Sequence, residues 1–387
     1  MTGPVAIATE LEPLLAQHAG QADTEGAFPL SSVQALRDAG LFGLLVPVEY
    51  GGMGRDLGDL VEVAAVLAGG CLSTAMIWAM HCQQVDTVVR HAGEQLRAEL
   101  LPRIAEDGYY LASVTTEPSK GGHLLSASAA LHSEDTDLLI RRSAPVVTGG
   151  EYADGFLVTM RAGPDAPPNQ VSLVHLHREQ VEARVVSDWN AMGMRGTRSV
   201  GMELSGTTAG HQLIGSPGAF REVAVDSMIP AGHLAWSGCW LGAARGALDG
   251  LVALLRSRER PKGIDVTSDL VRHRLARARV DLDLCGAQLL RVRDEVLGRR
   301  RAGVSLADRS FQIRLDTLKV ACSELTFSAV DRLVQLSGMT TGYRCDSHVP
   351  LERHLRDLRS ASLNYSNDRL LGAIGTMTLL DGSGQLT

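Results

Sequence analysis

Residues 305–338 read SLADRSFQIRLDTLKVACSELTFSAVDRLVQLSG. Phe311, Leu315, Leu318, Cys322, Leu325, Ala329, Leu333 and Leu336 recur there at spacings of three and four. This is the period of an α-helix with one apolar face, and Ser305 with Asp308 ahead of it looks like a capping box. Three other stretches carry a helical pattern, at about 233–257, 268–301 and 350–380. A helix of some thirty residues is about 45 Å long, so these four are expected to lie side by side as a bundle over 230–387.

Upstream of the bundle the texture changes. Over 109–229 short apolar runs such as YYLASV, DLLIR, GFLVTM, VSLVHLH and EARVV alternate with Gly, Pro, Asp and Ser clusters. That pattern predicts an antiparallel sheet module, a small barrel, with RAGPDAPPNQ (161–170) as an exposed turn between two strands. Earlier still, from Phe28 to about Ala105, apolar residues return to helical spacing and define a helical segment over 1–108. The fold class expected is mainly α with a central β domain.

Composition narrows the function. The chain of 387 residues is 45% apolar with a net charge of −7, and 34 of its 37 cations are Arg, so a basic surplus for nucleic acid is absent. The first residues lack a basic flank followed by an apolar run, and no uninterrupted stretch of about 18 apolar residues occurs; a cytoplasmic protein without a membrane span is expected. Six cysteines, Cys71, Cys82, Cys239, Cys285, Cys322 and Cys345, form no CxxC pair, so they are read as reduced thiols, with no metal site.

The order helices, sheet, bundle, together with five motifs in sequence order, resembles the acyl-CoA dehydrogenase superfamily of flavoproteins. FPLSSVQALRDAGLFGLLVPVEYGGMG (28–54) is similar to its amino-terminal signature, TTEPSKGG (115–122) to its flavin loop, and VVTGGEYADGFLVT (146–159) to the strand that covers the flavin. MGMRGTRS (192–199) and PLERHLRD (350–357) match two further landmarks. The resemblance implies FAD, with FMN as the lesser alternative, and a homodimer or homotetramer. It carries Ser113, Thr115, Thr116, Gly121 and Gly122 to the flavin loop and Thr148 to the covering strand. It carries Arg258, Gln335 and Gly338 to the adenosine half of FAD, which a neighbouring subunit contacts. Hydroxyls and backbone N–H groups suit the flavin edge that gains negative charge on reduction.

Departures from the family bear on the chemistry. His123 stands where an acidic residue is usual, Val146 where an aromatic precedes Thr148, Pro261 and Asp269 where Phe and Gln are usual, and Met339 replaces a glycine. The family's proton acceptor is a Glu at one of two places. Counting from Arg356 and Asp357, the first holds Tyr365; the second aligns with Gly232, beside His233. The leading expectation is a flavin-dependent oxidoreductase acting on an acyl group carried by CoA or an acyl carrier protein, with Tyr365, His233 or an unaligned carboxylate taking the proton. The first alternative is a monooxygenase that takes reduced flavin from a partner reductase and uses O₂, with His81 as an assisting imidazole. The second is a flavoprotein scaffold without catalysis. Trp236 and Trp240, spaced i, i+4, are candidates for the roof of a pocket or for core.

Overall fold

The computed structural model describes residues 3–118, 123–134 and 136–381. Five helices come first: α1 (Pro4–Glu25), α2 (Leu30–Asp38), α3 (Leu57–Gly70), α4 (Leu72–His91) and α5 (Glu94–Glu106). α1 has no counterpart in the periodicity reading, which began at Phe28. It carries Pro13 inside it and buries mainly small residues, Ala8, Ala19 and Ala22 beside Leu15, so its buried face gives a weak hydrophobic signal. Asp56 caps α3 by accepting hydrogen bonds from the Gly58 and Asp59 backbone N–H groups at 2.7 and 3.3 Å.

Eight strands follow: β1 (Leu111–Val114), β2 (His132–Glu134), β3 (Asp137–Val147), β4 (Gly155–Arg161), β5 (Val171–His177), β6 (Val181–Ser187), β7 (Val200–Ala209) and β8 (Leu213–Ile214). They form two four-stranded sheets, ordered β1-β4-β5-β8 and β2-β3-β7-β6. The turn at 161–170 joins β4 to β5. The wholly antiparallel expectation is corrected at one pair, because β1 runs parallel to β4. β3 carries a bulge between Ala144 and Val147, and Pro145, which has no N–H for a ladder, sits inside it.

Helices resume at α6 (Phe220–Val223), which runs through one π-helical stretch, Ala224–Met228, into α7 (Ile229–Arg256). α8 (Asp269–Arg301), α9 (Arg309–Thr341), α10 (Leu351–Arg359) and α11 (Asn367–Asp381) complete the chain. The run Phe220–Arg256 is long and apolar enough to cross a membrane, yet here it is a core helix packed along α3, α4 and α9. A Cβ on Gly242 would lie 2.1 Å from the Ala65 carbonyl oxygen, so α7 and α3 approach this closely only because the residue is glycine.

Two features of the bundle differ from expectation. Asp308 alone caps α9, accepting from the Phe311 N–H at 3.0 Å, while the Ser305 hydroxyl accepts from Ala307 N–H instead of closing a box. The fourth helix is two helices, α10 and α11, separated by 360–366. Lys319 of α9, fully buried, donates to the Ala361 carbonyl at 3.0 Å and to the Asn367 side-chain oxygen at 2.7 Å. It thereby satisfies a carbonyl that a continuous helix would have used, and the break is stabilised by a residue 42 positions away. All six cysteines are free thiols, with only Cys345 exposed.

Candidate functional site

A cleft of about 570 Å³ opens between the sheets and the bundle. Its sheet wall is built from the end of β1 and the following loop, the β3 bulge and the 194–199 turn. Ser113, Thr115, Thr116, Thr148, Thr197 and Ser199 all line it. The Thr116 hydroxyl donates to the Val146 carbonyl at 3.0 Å, so the bulge holds the loop. Thr148 and Ser199 share a hydroxyl contact of 2.9 Å, Ser199 and Thr197 one of 2.8 Å, and Thr197 donates to the Met194 carbonyl at 2.8 Å. Glu117 also lines this wall, but its carboxylate is fully engaged: it pairs with buried Arg142 and accepts from the Ser128 and Ala129 N–H groups.

The bundle wall carries His233 and Trp236 from α7 and the 360–366 break, including Tyr365. Tyr365 has φ of 53°, a left-handed conformation that a bulky residue rarely adopts. Strain of this kind persists only where surrounding structure enforces it, and it turns the ring edge-on to His233, with centroids 5.5 Å apart. Two positions separated by 132 residues thus share one wall. Two buried polar atoms on the wall, His233 Nδ1 and Trp236 Nε1, have no hydrogen-bond partner.

Burial sets the protonation of both groups. It drives the His233 imidazole down to about 3, with the nearby Lys319 charge acting in the same direction, so the ring is neutral at ordinary pH. It drives the Tyr365 phenol well above its ordinary value, so that side chain keeps its proton and serves as a donor. The Gly232 position cannot simply regain an acid. A Cβ there would meet Gln83 Nε2 at 2.4 Å, and that amide is held by the Met228 carbonyl at 2.7 Å.

The other candidates sort clearly. His81 is completely buried and outside the cleft: its Nδ1 accepts the Leu111 N–H at 3.1 Å and its Nε2 lies 3.0 Å from the Phe42 carbonyl, so both nitrogens fasten β1 to the first helices. The imidazole expected to assist is thus engaged on both nitrogens and is not among the residues that line the cleft. Trp236 lines the cleft, whereas Trp240 is core. Arg258, Gln335 and Gly338 are exposed and away from this chain's own cleft; Gln335 donates to Asp331 at 3.0 Å, and Gly338 kinks α9 with φ of 67°. Gly121 and Gly122 lie outside the described residues.

Sequence reasoning missed Asp316 and Lys319, which lie behind His233. Both sit one position beyond Leu315 and Leu318 of the apolar stripe, and both are buried. Lys319 is one of only three lysines in the chain, which is the signal that was available. Asp357 is a further buried acid: it accepts the Met194 N–H at 2.5 Å and ties α10 to the 194–199 turn, while burial raises it to about 6.

Two family models match the chain, the acyl-CoA dehydrogenase N-terminal domain over residues 7–107 and the acyl-CoA dehydrogenase C-terminal domain over residues 234–366. Among curated relatives, a dibenzothiophene monooxygenase of Rhodococcus qingshengii is 26% identical over 273 residues, covering 67% of this chain and 63% of that protein's length. The probable acyl-CoA dehydrogenase FadE25 of Mycobacterium tuberculosis is 22% identical over 376 residues, 97% of this chain and 94% of its own. Among solved structures, FMN-bound TdsC from Paenibacillus sp. A11-2 superposes with a TM-score of 0.85 at 20% identity, over 98% of this chain and 97% of that one. These structures share the mainly helical architecture with a central sheet region.

Proposed function

The chain belongs to the acyl-CoA dehydrogenase family, and we propose that it is a flavin-dependent oxidoreductase acting on a thioester-activated acyl group. The observation that carries this reading is the meeting of His233 and Tyr365 on one wall of the cleft. They stand at or beside the two places where the family keeps its proton acceptor.

The residues fit a flavin. The strip of Ser113, Thr115, Thr116, Thr148 and Ser199 sets hydroxyl groups along a polar ring edge, and the apolar walls around Met76, Met80 and Trp236 suit its faces. When bound, the flavin supplies the two-electron oxidant. FAD is the expected form; the FMN in TdsC supports the smaller cofactor as the alternative. Arg258, Gln335 and Gly338, exposed and remote from this chain's own cleft, favour a homodimer or homotetramer in which a second copy brings them to the adenosine half.

Within the cleft His233 is the group that can accept a proton, because it is neutral, whereas Tyr365 keeps its own. Tyr365 acts as a hydrogen-bond donor that orients the substrate. Trp236 and the buried walls exclude water from the reacting carbon. The acyl carrier, CoA or an acyl carrier protein, lies outside these contacts.

A second reading has its own observation. Glu117 is the one acidic residue lining the cleft among the described residues, and it is fully engaged, which supports a monooxygenase using reduced flavin from a partner reductase and O₂. The similarity to dibenzothiophene monooxygenase favours it too. One experiment separates the readings. Anaerobic mixing of the flavin-loaded protein with short-chain acyl-CoA and carrier-bound thioesters is expected to bleach the flavin. No bleaching with any thioester, combined with oxygen insertion that depends on a reductase and O₂, transfers the chain to the second reading. A chain that takes up neither FAD nor FMN overturns both and leaves a scaffold.

A further inference from the structure

One layer behind the cleft, the Asp316 carboxylate of α9 faces the His233 imidazole, Oδ1 to Nδ1, at 3.8 Å. Both side chains are more than nine-tenths buried. His233 Nδ1 closes no hydrogen bond, although the Leu315 backbone is near enough to favour the protonated ring, and no described residue donates a hydrogen bond to Asp316. At this distance the two buried groups face each other without closing a hydrogen bond. A closing movement of about 1 Å would join them, and catalytic hydrogen bonds commonly tighten only with substrate in place.

We propose that Asp316 works through His233 as the proton store for the cleft. The imidazole takes the substrate α-proton on Nε2 and passes its Nδ1 proton to the carboxylate. The Cα–H and Nδ1–H bonds break, the Nε2–H and carboxyl O–H bonds form, and the electron pair stays on the substrate carbon until the proton returns. This rests on the acyl reading above and supplies the carboxylate that neither aligned position holds. His233 is the catalytic residue in it, and Asp316 is a positioning residue that acts behind the imidazole.

The surroundings suit the task. Burial lifts Asp316 to about 7, opposed by the attraction of Lys319, so it can hold and release a proton near neutrality. Lys319 is itself lowered to about 7 by burial, with Glu324 and Asp316 as the opposing charges. Tyr365 faces the pair from the helix break, and the Arg369 charge of α11 acts on Tyr365. Trp240 underlies the Lys319 ammonium, 5.6 Å from its ring centre.

The test is deuterium wash-in at the α-carbon of a short-chain acyl-CoA, catalysed by the flavin-loaded protein in D₂O under anaerobic conditions and read by mass spectrometry. Wild type is expected to exchange with an inflection near neutral pH. Asp316→Asn is expected to slow exchange by about tenfold or more and to lose that inflection, with flavin content unchanged. Asp316→Glu should recover part of the rate, which a merely structural role would not require. Exchange by Asp316→Asn at the wild-type rate with the wild-type pH profile overturns the relay. If wild type exchanges no thioester at all, the acyl reading fails, and the relay is decided by ¹⁵N NMR of His233. A neutral-pH titration of its Nδ1 signal that disappears in Asp316→Asn supports the relay, and identical spectra in the two proteins overturn it.

Discussion

On the sheet wall of the cleft, the Thr148, Ser199 and Thr197 hydroxyls bond one another and the Met194 carbonyl, and Glu117 is saturated by Arg142 and two backbone N–H groups. On the bundle wall, His233 Nδ1 and Trp236 Nε1 are buried without partners, and Tyr365 sits in a left-handed backbone conformation. A saturated wall is rigid before any ligand arrives and suits a cofactor that must stay. An unsaturated, strained wall leaves its donors and acceptors for the molecule that comes and goes. The pairing of a finished surface with an unfinished one is what makes the cleft read as a site for two partners.

The largest expected effect that separates the walls is acid. His81, beneath the sheet wall, His233, in the bundle wall, and His354 are each held down to about 3 by burial. The folded chain binds fewer protons here than the unfolded one, so their contribution is complete above about 6.5 and is lost as pH falls from 6.5 toward 3. Asp316 at about 7 and Asp357 at about 6 act in the opposite sense, their contribution fading as pH rises from the ordinary carboxylate value, and three imidazoles outweigh two acids. Melting temperatures across this range should drop toward acid. His81→Asn and His233→Asn tested singly assign the slope to a wall, and a flat profile would refute it.

Next in size is the saturated wall itself. Glu117→Ala leaves the fully buried Arg142 guanidinium uncompensated and should cost about 3–5 kcal/mol of stability by urea denaturation. A loss below about 1 kcal/mol would mean that the wall is not held as described. The unfinished wall should respond in activity instead. His233→Gln is expected to lower turnover about 100-fold, or about 2.7 kcal/mol, with flavin content retained. Equal loss of flavin and turnover would erase the distinction between the walls. The smallest effect is Thr148→Val, which removes one bonded hydroxyl from the strip and should weaken flavin binding by up to about tenfold, measured by flavin titration.

Local periodicity carried much of the fold. The stripe from Phe311 to Leu336 and the short runs of β3, β4 and β5 state their own conformations, because burying one face of a helix or strand imposes its period on the residues that do it. α1 escaped since an alanine-rich face has little hydrophobic contrast, and the break at 360–366 escaped since no Gly or Pro stands in 358–370 to mark a stop. The sheet strip at Ser113, Thr115, Thr116 and Thr148 was likewise legible, each hydroxyl lying in a motif close to a strand end.

Order along the chain, helical spacing and motif succession were therefore properties of the sequence alone. Which side chains face one another was not. His81 and His233 are both histidines on helices; only the packing of β1 against α4 makes the first a fastening, and only the approach of α9 to α7 gives the second a carboxylate at 3.8 Å. Tyr365 and His233 meet because Lys319 takes the carbonyl that would have kept a helix straight. Electrostatic environment depends on distance through space and on burial, and neither is a function of separation along the chain.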